Sequence, residues 1–317
     1  VKVYRQPGEI PKIASPVCTM GTFDGVHLGH RKTIAQLIEN AKKAGGESVL
    51  LSFEPHPRLV LYPDDHRLEL IQSLEQRVAS LEDTGLAHLI LYPFTKELSR
   101  TAASDFVREV LVKRIGIAGM TIGYNHQFGR NREGNLSLLK ELGSAYHFKV
   151  DVVDALEINS EKVSSTKIRE AVKSGEIPKA NQYLGRNFGF SGTVVTGNQI
   201  GGKMGFPTVN IVPLAMHQLI PGNGVYAVRV TMGGNQLKGM CNIGYRPTVS
   251  DSGELRIEIH LLDFDREVYG EGIELEFIQR IRDEQKFPSR EALQMQLKQD
   301  EITCRELLSV GVAGNLG

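Results

Sequence analysis

The hydrophobic period changes once along this chain of 317 residues, and that change constrains the fold more than any other feature. Over residues 17–155, short apolar runs alternate with segments whose apolar residues recur at spacings of three and four. The runs at 17–20, 47–53, 86–91, 118–122 and 150–155 read as strands. The segments 31–44, 71–83, 103–115 and 136–146 read as helices, the first stopped by Gly45-Gly46. Five strands separated by helices require a parallel sheet covered on both faces, with ligands bound beyond the strands' C-terminal ends. Two more helices are expected over 164–173 and 177–183. Beyond them the period becomes two. Ile257, Ile259 and Leu261 alternate with Arg256, Glu258 and His260, and 225–230 and 273–277 alternate in the same way. This is half-buried antiparallel chemistry with Gly-rich turns, expected of a small barrel, followed by a helix over 289–308. The expected fold is thus α/β + β: a Rossmann-like domain over 1–185 and a small antiparallel β-barrel domain with a terminal helix over 186–317.

Charge narrows the function. Lys+Arg and Asp+Glu both number 37, for a net charge of +0, which argues against a nucleic-acid binder relying on bulk positive potential. The three cysteines, Cys18, Cys241 and Cys304, are far apart and form no C-x-x-C pair. This speaks against a zinc ribbon or a disulfide framework and suits a reducing compartment. No apolar run approaches the roughly 20 residues of a membrane helix, and no leader pattern precedes the first strand. The expectation is a cytoplasmic protein that handles small molecules, with no nucleic-acid or membrane partner; a weak homo-oligomer is left open.

Four segments carry chemistry. Gly21-Thr22-Phe23-Asp24-Gly25-Val26-His27-Leu28-Gly29-His30 follows the first strand directly. Its glycines permit a tight turn and close backbone approach, and its two histidines fall at a helix N-terminus, where unpaired N–H groups suit phosphate. Zinc is the competing chemistry for imidazoles three apart, but no third ligand lies nearby. Phe53-Glu54-Pro55-His56-Pro57 follows the second strand, its prolines holding His56 on an extended chain. Ser164, Ser165 and Thr166 open a helix that carries Arg169; alone they would read as caps. In the second half, Gly201-Gly202-Lys203-Met204-Gly205-Phe206-Pro207 forms a Gly-rich loop suited to phosphate oxygens. Thr208 and Asn210 alternate along an extended segment and point to one side. Their hard oxygens suit Mg²⁺.

The first segment resembles the H-x-G-H signature of nucleotidyltransferases. In its longer form it is similar to the adenylyltransferase half of the prokaryotic bifunctional riboflavin kinase/FAD synthetase family. The stretch from Gly123 to Gly129, with Arg132 and Gly134 after it, also matches, although the family more often has Asp-Phe where this chain has Asn125-His126. The second half resembles the riboflavin kinases. Pro207-Thr208-Val209-Asn210 corresponds to a P-T-A-N motif, with Gly202 where an arginine is common and Lys203 beside it. Asn242-Ile243-Gly244-Tyr245-Arg246-Pro247-Thr248 matches as well, and Glu258 falls at the family's catalytic glutamate.

The resemblance implies two ATP- and Mg²⁺-dependent reactions: riboflavin to FMN, then FMN to FAD plus pyrophosphate. In adenylyl transfer the attacking phosphate is already an anion, so no base is required. Positioning and charge stabilisation by His27, His30, Arg169 and the hydroxyls of Ser164, Ser165 and Thr166 carry the step. Gly21, Phe23, Asp24, Gly25, His56, Asn125 and Arg132 are the expected ATP and FMN contacts. In the kinase half a neutral alcohol attacks, so a base is needed and Glu258 is the candidate. Gly201, Lys203, Gly205, Pro207, Asn242, Gly244 and Arg246 are the expected ATP and flavin contacts, and Thr208 and Asn210 the metal ligands. Rival expectations are a single-activity enzyme with one silent half, or a non-catalytic flavin- or RNA-binding regulator.

Overall fold

The computed structural model describes residues 1–64, 68–196, 205–246 and 254–309, without the side chains of 245, 246 and 254. Of the expected site residues, Gly201 and Lys203, with Pro247 and Thr248 of the matched stretch, lie outside the described residues, as does the side chain of Arg246. The chain divides into two compact units. One comprises Val1–Leu68 and Leu74–Ser164; the other comprises Glu69–Ser73 and Ser165–Gly317.

The first unit is built on a parallel sheet of β1 (Lys2–Tyr4), β2 (Val17–Met20), β3 (Ser48–Glu54), β4 (His88–Pro93), β5 (Gly119–Gly123) and β6 (Lys149–Val153), ordered β1-β4-β3-β2-β5-β6. Its helices are α1 (Leu28–Lys43), α2 (Pro57–Leu61), α3 (Leu74–Glu82), α4 (Lys96–Ser99), α5 (Ala103–Phe106) and α6 (Leu136–Tyr146). The segment Val107–Ile115 continues α5 as a π-helix, ended by Gly116 in the left-handed region. A small hairpin, β7 (Glu157–Ile158) and β8 (Glu161–Lys162), closes the unit.

Strand alternation sorts the apolar residues into two layers. Cys18, Met20, Val49, Leu51 and Ile90 face Phe106, Val107, Val110, Leu111 and Leu139. Val17, Leu50, Leu89 and Leu91 face Ile34, Leu37 and Ala41 of α1 and Leu81 of α3. Fully burying such a side chain stabilises by about 1.5–3 kcal/mol, so both faces of the sheet must stay covered. The chain winds outward from β2 in two directions, and the switch point lies between β2 and β5. There the pairing ends early: Val17 and Cys18 pair with Gly119 and Met120, and nothing on β2 beyond Cys18 pairs with β5. The pairing therefore stops short of the C-terminal end of β2, at the switch point where α/β sheets bind ligands.

The second unit contains α7 (Ser165–Ser174), α8 (Ile177–Leu184) and a closed antiparallel barrel. The barrel strands are β9 (Phe188–Val195), β10 (Val209–Pro213), β11 (Gly224–Met232), β12 (Asn235–Arg246), β13 (Glu254–Leu261) and β14 (Gly272–Arg282), in the order β10-β13-β12-β11-β14-β9. Phe188, Phe190, Tyr226, Val228, Ile259 and Phe277 are fully buried. The final helix α9 (Arg290–Ser309) buries Cys304 and Leu308 against Ala227, Met240 and Leu262. It is fixed by Asp300, whose two carboxylate oxygens share the Arg282 Nε–H at 3.0 and 2.9 Å. All three thiols are buried, and burial pushes Cys18 and Cys304 up to about 12 and Cys241 higher still.

Candidate active sites

The chain leaves β2 at Met20 and must reverse into α1 within seven residues. Gly25 does this with φ 89°, but Phe23 and Val26 also have positive φ, 49° and 35°. For non-glycine residues this costs on the order of 1–3 kcal/mol each, so the loop is held by its surroundings. The carbonyl of Thr22 accepts from Arg77 Nη1 at 2.8 Å and from Ser52 Oγ at 3.4 Å. Asp24 is buried within the same turn.

The turn delivers both histidines to the start of α1. His27 caps the helix, its Nδ1 accepting from the His30 N–H at 3.2 Å. Neutral His27 therefore carries its proton on Nε2, as a donor. Its ring stacks on that of His30, centroids 3.6 Å apart and 15° between planes, and His30 also meets Phe23 at 4.7 Å. Gly29 suits this stacking, because a Cβ there would stand 3.2 Å from the His27 ring and press on it. The orphan N–H groups and partial positive charge of the helix start coincide with two imidazoles, which suits a polyphosphate.

Neighbouring strand exits supply the rest. After β3, Glu54 Oε2 takes a hydrogen bond from Arg77 Nη2 at 3.0 Å, and His56 caps α2 by accepting from the Arg58 N–H at 3.2 Å. After β5, Asn125 is exposed in a turn, and Arg132 lies in the exposed 3₁₀ turn Arg130–Arg132. His126 stacks on Phe128 with centroids 5.9 Å apart, and burial pulls its pKa down to about 4. Ser164 ends the first unit; Ser165, Thr166 and Arg169 belong to α7 of the second, where Arg169 Nε donates to the Glu69 carbonyl at 2.7 Å.

The barrel supplies a second constellation by register. Asn210 on β10 pairs with Glu258 on β13, and Glu258 pairs with Asn242 on β12. Directly opposite residues share a face with Cβ atoms about 4.5–5.5 Å apart. The three side chains therefore form a row across three strands. They face outward, because Ile257 and Ile259 on either side of Glu258 are buried in the barrel. Arg256 Nη1 stands 3.6 Å from Glu258 Oε1. Gly244 is buried in the same neighbourhood, and a Cβ there would collide with the Glu284 carboxylate. Gly205, Pro207 and Thr208 lie just ahead of β10. The segment is tied down by His260, whose Nδ1 lies 2.8 Å from the Pro207 carbonyl and whose ring meets Phe206 edge-on. The groups brought together by register, two amides and a carboxylate, with the Thr208 hydroxyl two residues before Asn210, are oxygen-rich and fit a hard divalent cation. Among the described residues, no group of three or more His, Cys, Asp or Glu is placed to hold a metal.

Sequence reasoning did not single out Arg77 and His260, which hold segments carrying the candidate residues. His260 had a signal, since it shares a strand face with Glu258. Arg77 had none: it meets Thr22 across 55 positions of sequence.

An H-x-G-H helix start at a sheet's switch point, joined to a barrel with a carboxylate flanked by amides, defines a two-site nucleotide-dependent group-transfer enzyme. Comparison with known proteins agrees. The FAD synthetase family matches residues 10–167 and the riboflavin kinase family residues 184–308. A bifunctional riboflavin kinase/FMN adenylyltransferase of Listeria monocytogenes is 37% identical over 91% of this chain and 91% of its own length. The one from Escherichia coli K12 is 35% identical over 93% of each. A solved structure described as a macrolide-efflux protein from Streptococcus pneumoniae superposes with a TM-score of 0.87 at 29% identity, covering 96% of this chain and 99% of that one. The chain belongs to the bifunctional riboflavin kinase/FMN adenylyltransferase family. Among the described residues, no helix is long and apolar enough to cross a membrane.

Proposed function

We propose that the two activities of this family, ATP-dependent phosphorylation of riboflavin and adenylylation of FMN, are carried by separate sites, with catalytic domains over 1–185 and 186–317. The reading is supported above all by the stacked His27–His30 pair at the start of α1, at the switch point between β2 and β5.

In the first site a phosphate oxygen of FMN attacks the α-phosphorus of ATP. The bond to the bridging oxygen breaks and pyrophosphate leaves. His27, His30 and the α1 N-terminus hold the charge that moves onto the leaving group. Ser164, Ser165, Thr166 and Arg169 are assigned to the same reaction by their match to the family. Gly21, Phe23, Asp24, Gly25, His56, Asn125 and Arg132 are assigned to ATP and FMN.

In the second site the riboflavin hydroxyl attacks the γ-phosphorus of ATP, its proton passes to Glu258, and ADP leaves. Asn242 and Gly244, with Gly201, Lys203, Gly205, Pro207 and Arg246, are assigned to the substrates. Thr208 and Asn210 would hold Mg²⁺, which when bound offsets charge on the β- and γ-phosphates. Arg256 stands beside the Glu258 carboxylate on the outer face. The substrates are small molecules, and three unpaired cysteines suit the reducing cytoplasm to which we assign the protein.

The test is selective loss. His27→Ala should abolish FAD formation from FMN and leave FMN formation from riboflavin near wild type, read as separate product time courses. Equal loss of both activities in a folded variant would refute the two-site assignment.

A further inference from the structure

We propose that Arg77 is the positioning residue of the adenylyl-transfer site, one guanidinium that locks the loop exits of β2 and β3 together. The inference deepens the assignment of His27 and His30 above and rests on it. Arg77 lies on α3, at the second position after Glu75. It is 6% exposed, unusually deep for an arginine. Its two terminal nitrogens are divided between two segments. Nη1 donates to the Thr22 carbonyl at 2.8 Å, and Nη2 pairs with Glu54 Oε2 at 3.0 Å.

Thr22 stands immediately before Phe23, the first of the two non-glycine residues with left-handed φ in the turn. A backbone in that region does not hold itself, and persists only where its surroundings over-determine it. Among the described residues, two side chains bind the Thr22 carbonyl, and Arg77 makes the shorter, charge-assisted bond. Glu54 in turn immediately precedes Pro55 and His56. The fork therefore fixes the distance between the turn that aims His27 and the segment that presents His56. An ammonium on a flexible stem reaches one of these acceptors; the planar fork reaches both at once. Arg77 touches neither histidine, so it acts through the loop and not as a catalytic residue.

The experiment measures both reactions in the full-length enzyme for Arg77→Met, Arg77→Lys, Glu54→Gln and, in parallel, His27→Ala. Misplacing a site by about 1 Å costs on the order of 10²-fold in rate. Arg77→Met should therefore lower kcat for FMN adenylylation by about that factor, with KM for ATP and FMN changing by less than about threefold and riboflavin phosphorylation unchanged. Arg77→Lys and Glu54→Gln should fall between Arg77→Met and wild type, since each keeps one of the two ties. If Arg77→Met does not fold, these two variants decide alone, by a smaller loss in kcat, still beyond twofold, at constant KM. The inference is overturned if adenylylation kcat stays within twofold of wild type, if only KM rises, or if kinase turnover falls in parallel. His27→Ala separates the layers. If it too leaves adenylylation intact, the site assignment fails. If it is inactive while the arginine variants are unaffected, only the role of Arg77 fails.

Discussion

Histidine 126 shows what one side chain contributes to the first unit. Its Nε2 is buried with no hydrogen-bond partner among the described residues, and burial holds its pKa at about 4, below the ordinary 6.5. The unfolded chain therefore takes up this proton first as the pH falls. Stability from a neutral His126 is fully present above about pH 6.5, declines toward pH 4 and then levels, by about 3 kcal/mol at most. His126→Phe keeps an aromatic ring against Phe128 and removes the titration. It should flatten the acid limb of stability, measured as amide exchange protection in β5 between pH 7 and 4.5; an unchanged limb would place the sensitivity elsewhere. Glu258 gives the counterpart in the barrel. Glu258→Gln keeps the shape and cannot take the proton, so riboflavin phosphorylation should lose ~10²–10⁴ in kcat with substrate affinities little changed and FMN adenylylation untouched. Turnover within a few-fold of wild type would make Glu258 a strand residue only. His27, His30 and Glu258 could be singled out as candidates from the sequence because their neighbours along the chain carry the signal. Arg77 could not, because its partners Thr22 and Glu54 are brought to it by tertiary folding.

The elements of the first unit followed the hydrophobic period closely. The strand Val17–Met20 and the helix Leu136–Tyr146 match the expected bounds, and α1 starts three residues before the expected 31. The missed sixth strand, β1, has three residues, too few for a period, and gains its place by pairing with β4. The π-helix over Val107–Ile115 has no sequence signature distinct from the expected α-helix, because Val107, Val110 and Leu111 are buried in it at helical spacings. The barrel was less legible: three strands were expected where six close the ring. In β12, Gly239 and Gly244 interrupt the alternation and the partners on β11 and β13 restore it. Helices α7 and α8 fall in the second unit although they were grouped with the first half of the chain. The reason is visible at Asn181, whose side chain donates to the Phe277 carbonyl at 3.0 Å and accepts from the Phe188 N–H at 2.7 Å, while Ile177, Ala180, Tyr183 and Leu184 are buried. A fragment beginning at Ser165 should therefore retain kinase turnover and unfold at a higher temperature than one beginning at Arg186. Identical melting midpoints would mean that the two helices add nothing to the barrel.

Across the whole molecule, two chemistries that differ in what they ask of a protein are given two different architectures. Adenylyl transfer needs a concentrated positive end and no base, and a parallel sheet supplies a helix start at its switch point. Phosphorylation of an alcohol needs a carboxylate among polar groups, and strand register offers a candidate, because Asn210, Glu258 and Asn242 sit opposite one another on neighbouring strands. Each unit carries its own apolar layers.

The three buried cysteines turn this division into something a chemist can watch. A thiol held at about 12 or above, inside packed apolar surroundings, carries almost no thiolate at neutral pH. An alkylating reagent therefore stays silent until the surrounding layer opens. Cys18 lies in the central strand of the first unit, and Cys241 and Cys304 lie in the barrel wall and its closing helix. The natural sequence thus carries one latent timer for the sheet and two for the barrel, and the order in which the peptides gain mass reads out which half lets go first.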